Sequence, residues 1–573
     1  MAGQIAARIE LAAAGAVGGA ALWAAIEAAE REWLAEFPAL ALFVLLVTAF
    51  GALMAMAGPI GLWRAVPRAL VLGLAVGALA WLTALRFDTV SQALFGAIPV
   101  LALLVLGTLP VPFLIAQVLG RWNDYPVLFL QAWSIVLRFA AAGAFTGLVW
   151  LVIYLSDEVL RIVGIGVIGE LLSQELVALM LGGAIFGLGM AVIHDLADVL
   201  SPYVVLRVFR LFLPAVLAVM AVFLIALPFR GLDGLVTGLS PATLLLTMVA
   251  GGIALVSIAI DQTDAEATQS PLLIRCTQGM AVILPVVAAL ALWAIWIRVA
   301  DRGWSPERLF IVLVAGLGLV YGLAYAVAVL RGAGWMERIR QGNIRIALGI
   351  LGLAALWLTP VLNAERISAA SQLARFEAEG HAALDPGALR SWGRPGAAVL
   401  AKLEEQAKEP GQEELAAVLA GGASVDPGQG PALAAELAAL MPVQPATATG
   451  MREVILGAAE DYQLQDWLQV CRVTLETGAP GCLLVVADLL PLRPGEEAML
   501  FLQRGADYVE ISGLYLDDSG MLVWRTATQP DGNYVSSEAA SRLLREYQSV
   551  PPPLTGAEVN QIGTGGDGLL FLP

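Results

Sequence analysis

The chain has 573 residues, 59% of them hydrophobic and only 14% charged, with a mean hydropathy of +0.79. Soluble globular domains carry about a quarter charged residues, so the composition excludes that class for most of the chain and points to a membrane protein. The formal net charge is −16, and no nucleic-acid partner is expected.

The charge is unevenly placed. Up to residue 363 there are 19 basic and 20 acidic side chains, whereas from Glu365 onward there are 13 basic and 28 acidic. The expected fold is mainly α: a polytopic transmembrane helix bundle over 1–363, followed by an acidic, extracytoplasmic α+β domain over 364–573. A hydrocarbon core of about 30 Å needs about 20 apolar residues in helix. Runs of that kind lie near 11–28, 37–58, 65–85, 92–119, 129–155, 176–195, 204–228, 241–260, 277–297, 308–330 and 344–363, about eleven spans.

The first run is Ala/Gly-rich and follows a single arginine, so it reads as a retained anchor or as a signal peptide. Pro99, Pro110 and Pro112 interrupt the fourth. Proline removes a backbone donor, and a broken or tilted helix is expected there.

Arginine-rich loops stay in the cytoplasm. With the amino terminus inside, twelve arginines fall on the cytoplasmic side, among them Arg121, Arg210, Arg338, Arg340 and Arg345, and seven on the other, including Arg86, Arg298, Arg302 and Arg308. The run GWMERIRQGNIR places three of the twelve, Arg338, Arg340 and Arg345, just before the last span. An odd number of spans then puts the acidic domain outside the cytoplasm.

Several residues could carry function. His194 and Asp198, in MAVIHDLADVL, are four apart and share a helical face. They read as a metal or proton site, or as a solvated helix terminus. The only other histidine, His381, falls on the opposite side, so no imidazole-rich cluster forms. Arg138 and Glu27 lie towards span interiors, and a long side chain there can snorkel to the interface. Gly183 and Gly187, in GGAIFGLG, have the spacing that lets helices approach closely, within this bundle or between copies in a homo-oligomer. GLSPATLLLTMVAG at Gly238 and GWSPERLFIVLVAG at Gly303 match at an offset of 65 residues, either as an internal repeat or because Ser-Pro suits a helix start.

In the acidic domain, HAALDPGALRSWGRPGAAVLAKLEEQ reads as two short helices, and the Pro/Gly/Ala stretch near 421–450 as a linker. GMREVILGAAEDYQLQDWLQVC reads as an amphipathic helix leading to the loop between Cys471 and Cys482. CLLVVADL and AMLFLQ are strands, and YVEISGLYLDDSGMLVWRTAT is a hairpin. In an oxidising compartment Cys471 and Cys482 are expected to join; the alternative is two buried thiols. Asp507, Glu510, Asp517 and Asp518 suggest a cation site, but the hairpin turn accounts for the last two. GTGGDG at 563–568 has dinucleotide-type spacing, yet only five residues follow it, too few for the helix that would hold a phosphate. No cofactor and no metal site is expected.

The segment G-W-S-P-E-R at Gly303–Arg308, opening a span that contains Tyr321 and Tyr325 and followed by a basic turn and a last span, resembles the bacterial membrane family termed domain of unknown function 4153. The resemblance implies a polytopic inner-membrane protein and brings no activity with it. It singles out Arg308, which opposes the helix dipole and is expected to pair with Asp301 or Glu307. Three function classes remain: an envelope accessory or scaffold protein whose acidic domain binds a periplasmic partner, a secondary transporter, and a membrane enzyme acting on lipid or glycan.

Overall fold

The structure is a computed structural model and describes residues 2–94, 97–195, 202–230, 241–380, 384–412, 415–416, 418–419, 430–459, 461–475, 477–489, 495–505, 508–516, 522–527, 535–554, 561–562 and 569–570. Two compact units, Met1–Ala420 and Gly421–Pro573, make up the chain. The composition change at residue 363 therefore falls inside the first unit rather than at its edge.

The first unit runs α1 (Ala2–Glu30), α2 (Glu36–Ile60), α3 (Leu62–Ala84), α4 (Val90–Leu94), α5 (Ala97–Thr108), α6 (Pro110–Leu119), α7 (Tyr125–Ile162), α8 (Val167–Leu172), α9 (Glu175–Asp195), α10 (Pro202–Arg230), α11 (Pro241–Ile260), α12 (Pro271–Arg302), α13 (Pro306–Leu330) and α14 (Trp335–Leu358). Among the described residues these give eleven segments long and apolar enough to cross a membrane, with α5 and α6 counting as one. That fourth segment breaks at Leu109, immediately before Pro110, as the prolines lead one to expect. The last span begins at Trp335, nine residues before the expected start, because the basic run forms its first turns instead of a loop.

Helices in lipid gain little from hydrophobic burial against one another and associate through close packing. At the crossing of α1 and α9 a Cβ on Gly15 would stand 2.0 Å from the carbonyl oxygen of Gly183, and one on Gly187 would stand 2.2 Å from that of Leu11. Only glycine fits such backbone contact, so Gly183 and Gly187 seat α1 within the bundle. One apolar core joins α1, α2, α3, α6, α7 and α9 around Met56 and Ile115, and another joins α10 to α14 around Leu284 and Tyr325.

Three further helices, α15 (Ala364–Glu379), α16 (Pro386–Ser391) and α17 (Gly393–Gln406), follow in this unit. Arg86, after α3, fixes them: it pairs with Glu365 at 3.3 Å and donates to the carbonyls of Trp357 (2.8 Å) and Thr359 (2.5 Å). Both partners are buried. Burial pulls the Arg86 guanidinium below its usual value, and the Glu365 charge opposes that.

The second unit is built on a five-stranded sheet of order β1 (Val443–Gln444), β2 (Cys482–Ala487), β3 (Glu497–Gly505), β4 (Tyr508–Leu516) and β5 (Leu522–Thr526). β1 runs parallel to β2, and β2 to β5 form an antiparallel meander with Leu484 opposite Leu500 and Leu514 opposite Trp524. Side chains alternate along a strand. Cys482, Leu484 and Val486 accordingly face one core, under α18 (Gly430–Leu440), α19 (Thr449–Ala458) and α20 (Asp461–Cys471). Leu483 and Val485 face another, under α21 (Ser537–Ser549). Burial on both faces explains the unbroken apolar run of β2. Two-residue strands β6 (Gln561–Ile562) and β7 (Leu569–Leu570) pair with each other.

Two sequence expectations need correction here. The stretch near 421–450 is not simply a linker, since α18 lies within it and its Leu437 is buried in the sheet's core. The single amphipathic helix before the cysteine loop is two, α19 and α20, separated where Ala459 turns extended. Alanine is the best helix former, so tertiary packing rather than local propensity sets that break.

Candidate functional site

Charged side chains buried in a membrane unit need partners, and the densest group of them surrounds the loop 261–270 between α11 and α12. The end of α11 leaves carbonyls without intrahelical donors. Arg210, from α10, donates to the carbonyls of Ile258 and Glu266, each at 3.0 Å, and pairs with Asp261. Arg340, from α14, donates to the carbonyls of Ile260 (2.6 Å) and Asp261 (3.1 Å) and to the Asp264 carboxylate (2.7 Å). Two guanidinium groups thus sit at the negative end of one helix dipole, where positive charge is favoured.

Asp261 itself is 1% exposed and has a left-handed backbone, φ 50°, a region that aspartate tolerates better than most residues. Its carboxylate accepts the Gln262 backbone N–H at 2.7 Å. Burial pushes the Asp261 carboxyl up, against the opposing pull of that N–H and of Arg210.

Beside the clamped loop lies a cleft of about 1080 Å³ lined by Arg121, Trp122, Tyr125, Gln262, Arg345 and Leu348, among others. The segments around it come from the α6–α7 connection, the α11–α12 loop and the start of α14, all of which the arginine count puts on one side. From its wall a chain of neutral polar groups runs into the bundle. Asn343 donates to the Tyr125 hydroxyl at 3.2 Å, the Tyr325 hydroxyl donates to Asn343 at 2.7 Å, and Ser257 lies 3.0 Å from Tyr325. Tyr325 is fully buried. The chain joins α7, α11, α13 and α14 through hydroxyl and amide groups able to exchange donor and acceptor roles.

The residues singled out in sequence fall elsewhere. His194 ends α9 against Gly58 of α2, where a methyl on Gly58 would stand 3.0 Å from its Nδ1. Asp198, His381, Asp507, Asp517, Asp518 and the GTGGDG segment lie outside the described residues. Arg138 is half-buried on α7 and makes no hydrogen bond or ion pair among the described residues. Glu27 pairs with Arg31 one turn on. Glu510 bonds Arg504, which also takes both oxygens of Asp466 at 2.6 and 2.7 Å. These carboxylates hold the Arg504 guanidinium above its usual value.

Arg308 meets neither expected carboxylate in a hydrogen bond. Its guanidinium reaches back to the carbonyls of Arg302 (3.0 Å) and Gly303 (2.7 Å), at the end of the preceding helix, while Asp301 pairs with Arg302 at 3.4 Å. A cation unfavourable to its own helix start is therefore accommodated by the terminus of another. Cys471 and Cys482 stand at disulfide distance, with Cα atoms 4.9 Å apart. Among the described residues no group of three or more His, Cys, Asp or Glu side chains is placed to hold a metal ion.

Asp261, Asn343, Ser257 and Tyr125 are the candidate residues of this site that sequence reasoning missed. The signal available was DQTDAEATQS, a polar loop set between long apolar runs, and the polar step QGN inside the last span.

Fold and cleft together define a multi-pass membrane protein with a folded α/β unit at its carboxyl end. Comparison with protein-family models, with curated proteins and with solved structures gives no match.

Proposed function

We propose that this is an accessory or scaffold protein of the bacterial inner membrane, with a cytoplasmic amino terminus and a carboxyl-terminal unit that docks a periplasmic partner. One observation carries the docking role. The sheet is covered by helices on both faces, yet β5 has a single strand neighbour, β4, among the described residues. An edge strand offers a row of backbone donors and acceptors to a partner's strand. The arginine distribution supports the orientation, and the cysteine pair fits an oxidising space. The resemblance of the Gly303–Arg308 segment to the domain of unknown function 4153 family implies an inner-membrane protein and adds no activity to this reading.

A photo-crosslinking residue in place of Arg525 on β5, compared with one replacing Glu546 on α21, tests the docking role in living cells. A discrete adduct from position 525 alone supports it; the same pattern from both positions removes it.

A second reading, a secondary transporter, is favoured by the cleft and the polar chain from Tyr125 to Tyr325. Proteoliposomes loaded with pyranine should then acidify under an inward proton gradient faster than protein-free vesicles, and Asn343→Leu should abolish the difference. Equal rates with and without protein would end that reading.

A further inference from the structure

We propose that the turn between α12 and α13 binds the phosphate of an anionic phospholipid headgroup. Seven arginines fall on the side where the positive-inside rule disfavours them, and three of the seven, Arg298, Arg302 and Arg308, crowd into this one turn. They line a cleft of about 550 Å³ together with Asp301, Ser305, Glu307 and the apolar side chains of Ile295, Ile297 and Ile311.

The charges in the cleft do not cancel. Asp301 is engaged by Arg302, and Arg308 spends its donors on carbonyls, which satisfy its hydrogen bonds without neutralising its charge. Arg298 is exposed and makes no hydrogen bond or ion pair among the described residues. With Glu307 as the remaining carboxylate, one positive charge is left over, the complement of one phosphodiester.

The location selects a lipid over a free ion. Both helices are long and apolar enough to cross a membrane, and the end of one meets the start of the other in this turn, which the proposed topology puts near the lipid–water boundary. Trp293 and Trp296 are exposed on α12, and the Trp296 ring packs edge-on against Trp304 at 6.4 Å, an arrangement suited to the headgroup level. Ile297, exposed on the cleft wall, and the partly buried Ile311 would meet the glycerol and first methylenes while the guanidinium groups hold the phosphate. The turn also packs against α15. Gly303 has φ 73°, and a Cβ there would stand 2.7 Å from the Arg375 side chain of α15, while the Trp304 N–H bonds Ser371 at 3.1 Å.

Native mass spectrometry of the full-length protein in detergent, titrated with dioleoyl-phosphatidylglycerol or dioleoyl-phosphatidylcholine, tests the site. The wild type should retain the phosphatidylglycerol adduct preferentially, and Arg298→Gln with Arg302→Gln should reduce it on the order of tenfold at an unchanged melting temperature. Arg298→Gln alone, which breaks no contact, serves if the double variant is unstable, and should give a smaller loss of the same kind. Equal retention of the two lipids, or retention unaffected by either variant, overturns the proposal. Displacement of the lipid by 10 mM inorganic phosphate would equally overturn it, by showing a site for free anion.

Discussion

The two units solve opposite problems with the same twenty side chains. In the carboxyl-terminal unit apolar residues turn inward, Leu483 and Leu484 being fully buried on the two faces of a single strand. In the membrane unit large apolar residues turn outward, as on α7 and α10, where Leu148, Val152, Val219 and Val222 are more than half exposed, while glycine lies at the α1–α9 contact and arginine at helix ends. Where water drives burial, volume fills the core. Where lipid surrounds the chain, backbone proximity and satisfied polar groups hold the helices together.

The largest expected effect follows from breaking the backbone contact. Gly187→Leu forces a side chain into the Leu11 carbonyl, which should cost about 3 kcal/mol or more and appear as loss of the monodisperse peak in detergent. The cysteine pair of the other unit should stay oxidised on a non-reducing gel.

Next comes Asp261→Ala, which leaves Arg210 buried without its carboxylate. A loss of about 3 kcal/mol is expected, since Arg210 keeps its two carbonyl acceptors, read as a lower melting temperature of the purified protein; Glu365→Gln, opposite Arg86, should act in the same direction. In the other unit Cys482→Ser should cost up to about 3 kcal/mol for a loop of this length, seen as faster proteolysis between α20 and β2 with the membrane unit unaffected. The smallest effect is expected from Arg308→Gln, whose amide can still donate to one of the two carbonyls: about 1 kcal/mol, by the same thermal measurement.

Much of this contrast is legible in sequence. Eleven apolar runs appear among the described residues as eleven segments long and apolar enough to cross a membrane, because length against the bilayer is a strong constraint; β2 to β5 are readable from their apolar runs and the turn-forming sequence DDSG, whereas β1 lies in the stretch that reads as a linker. The polar site is not. Arg340 and Arg210 read as topology signals, since nothing local distinguishes an arginine that snorkels from one that folds back onto a helix end 79 residues away, as Arg340 does on Asp261. Asn343 and Tyr325 are likewise 18 residues apart on different helices, and only their packing makes them a pair. The linker reading of 421–450 falls short for another reason: Ala-rich α18 has good helix propensity, but the Pro/Gly residues before it carry the stronger turn signal, and the seat of Leu437 on the sheet shows only in the folded core.

The proposed orientation puts the start of α14, at Arg338, in the cytoplasm and the carboxyl-terminal unit across the bilayer from it. Fusions of green fluorescent protein and of alkaline phosphatase, placed after Gly332 and after Pro573, test this directly. Fluorescence from the first site and phosphatase activity from the second are predicted; the same reporter active at both sites would contradict the account.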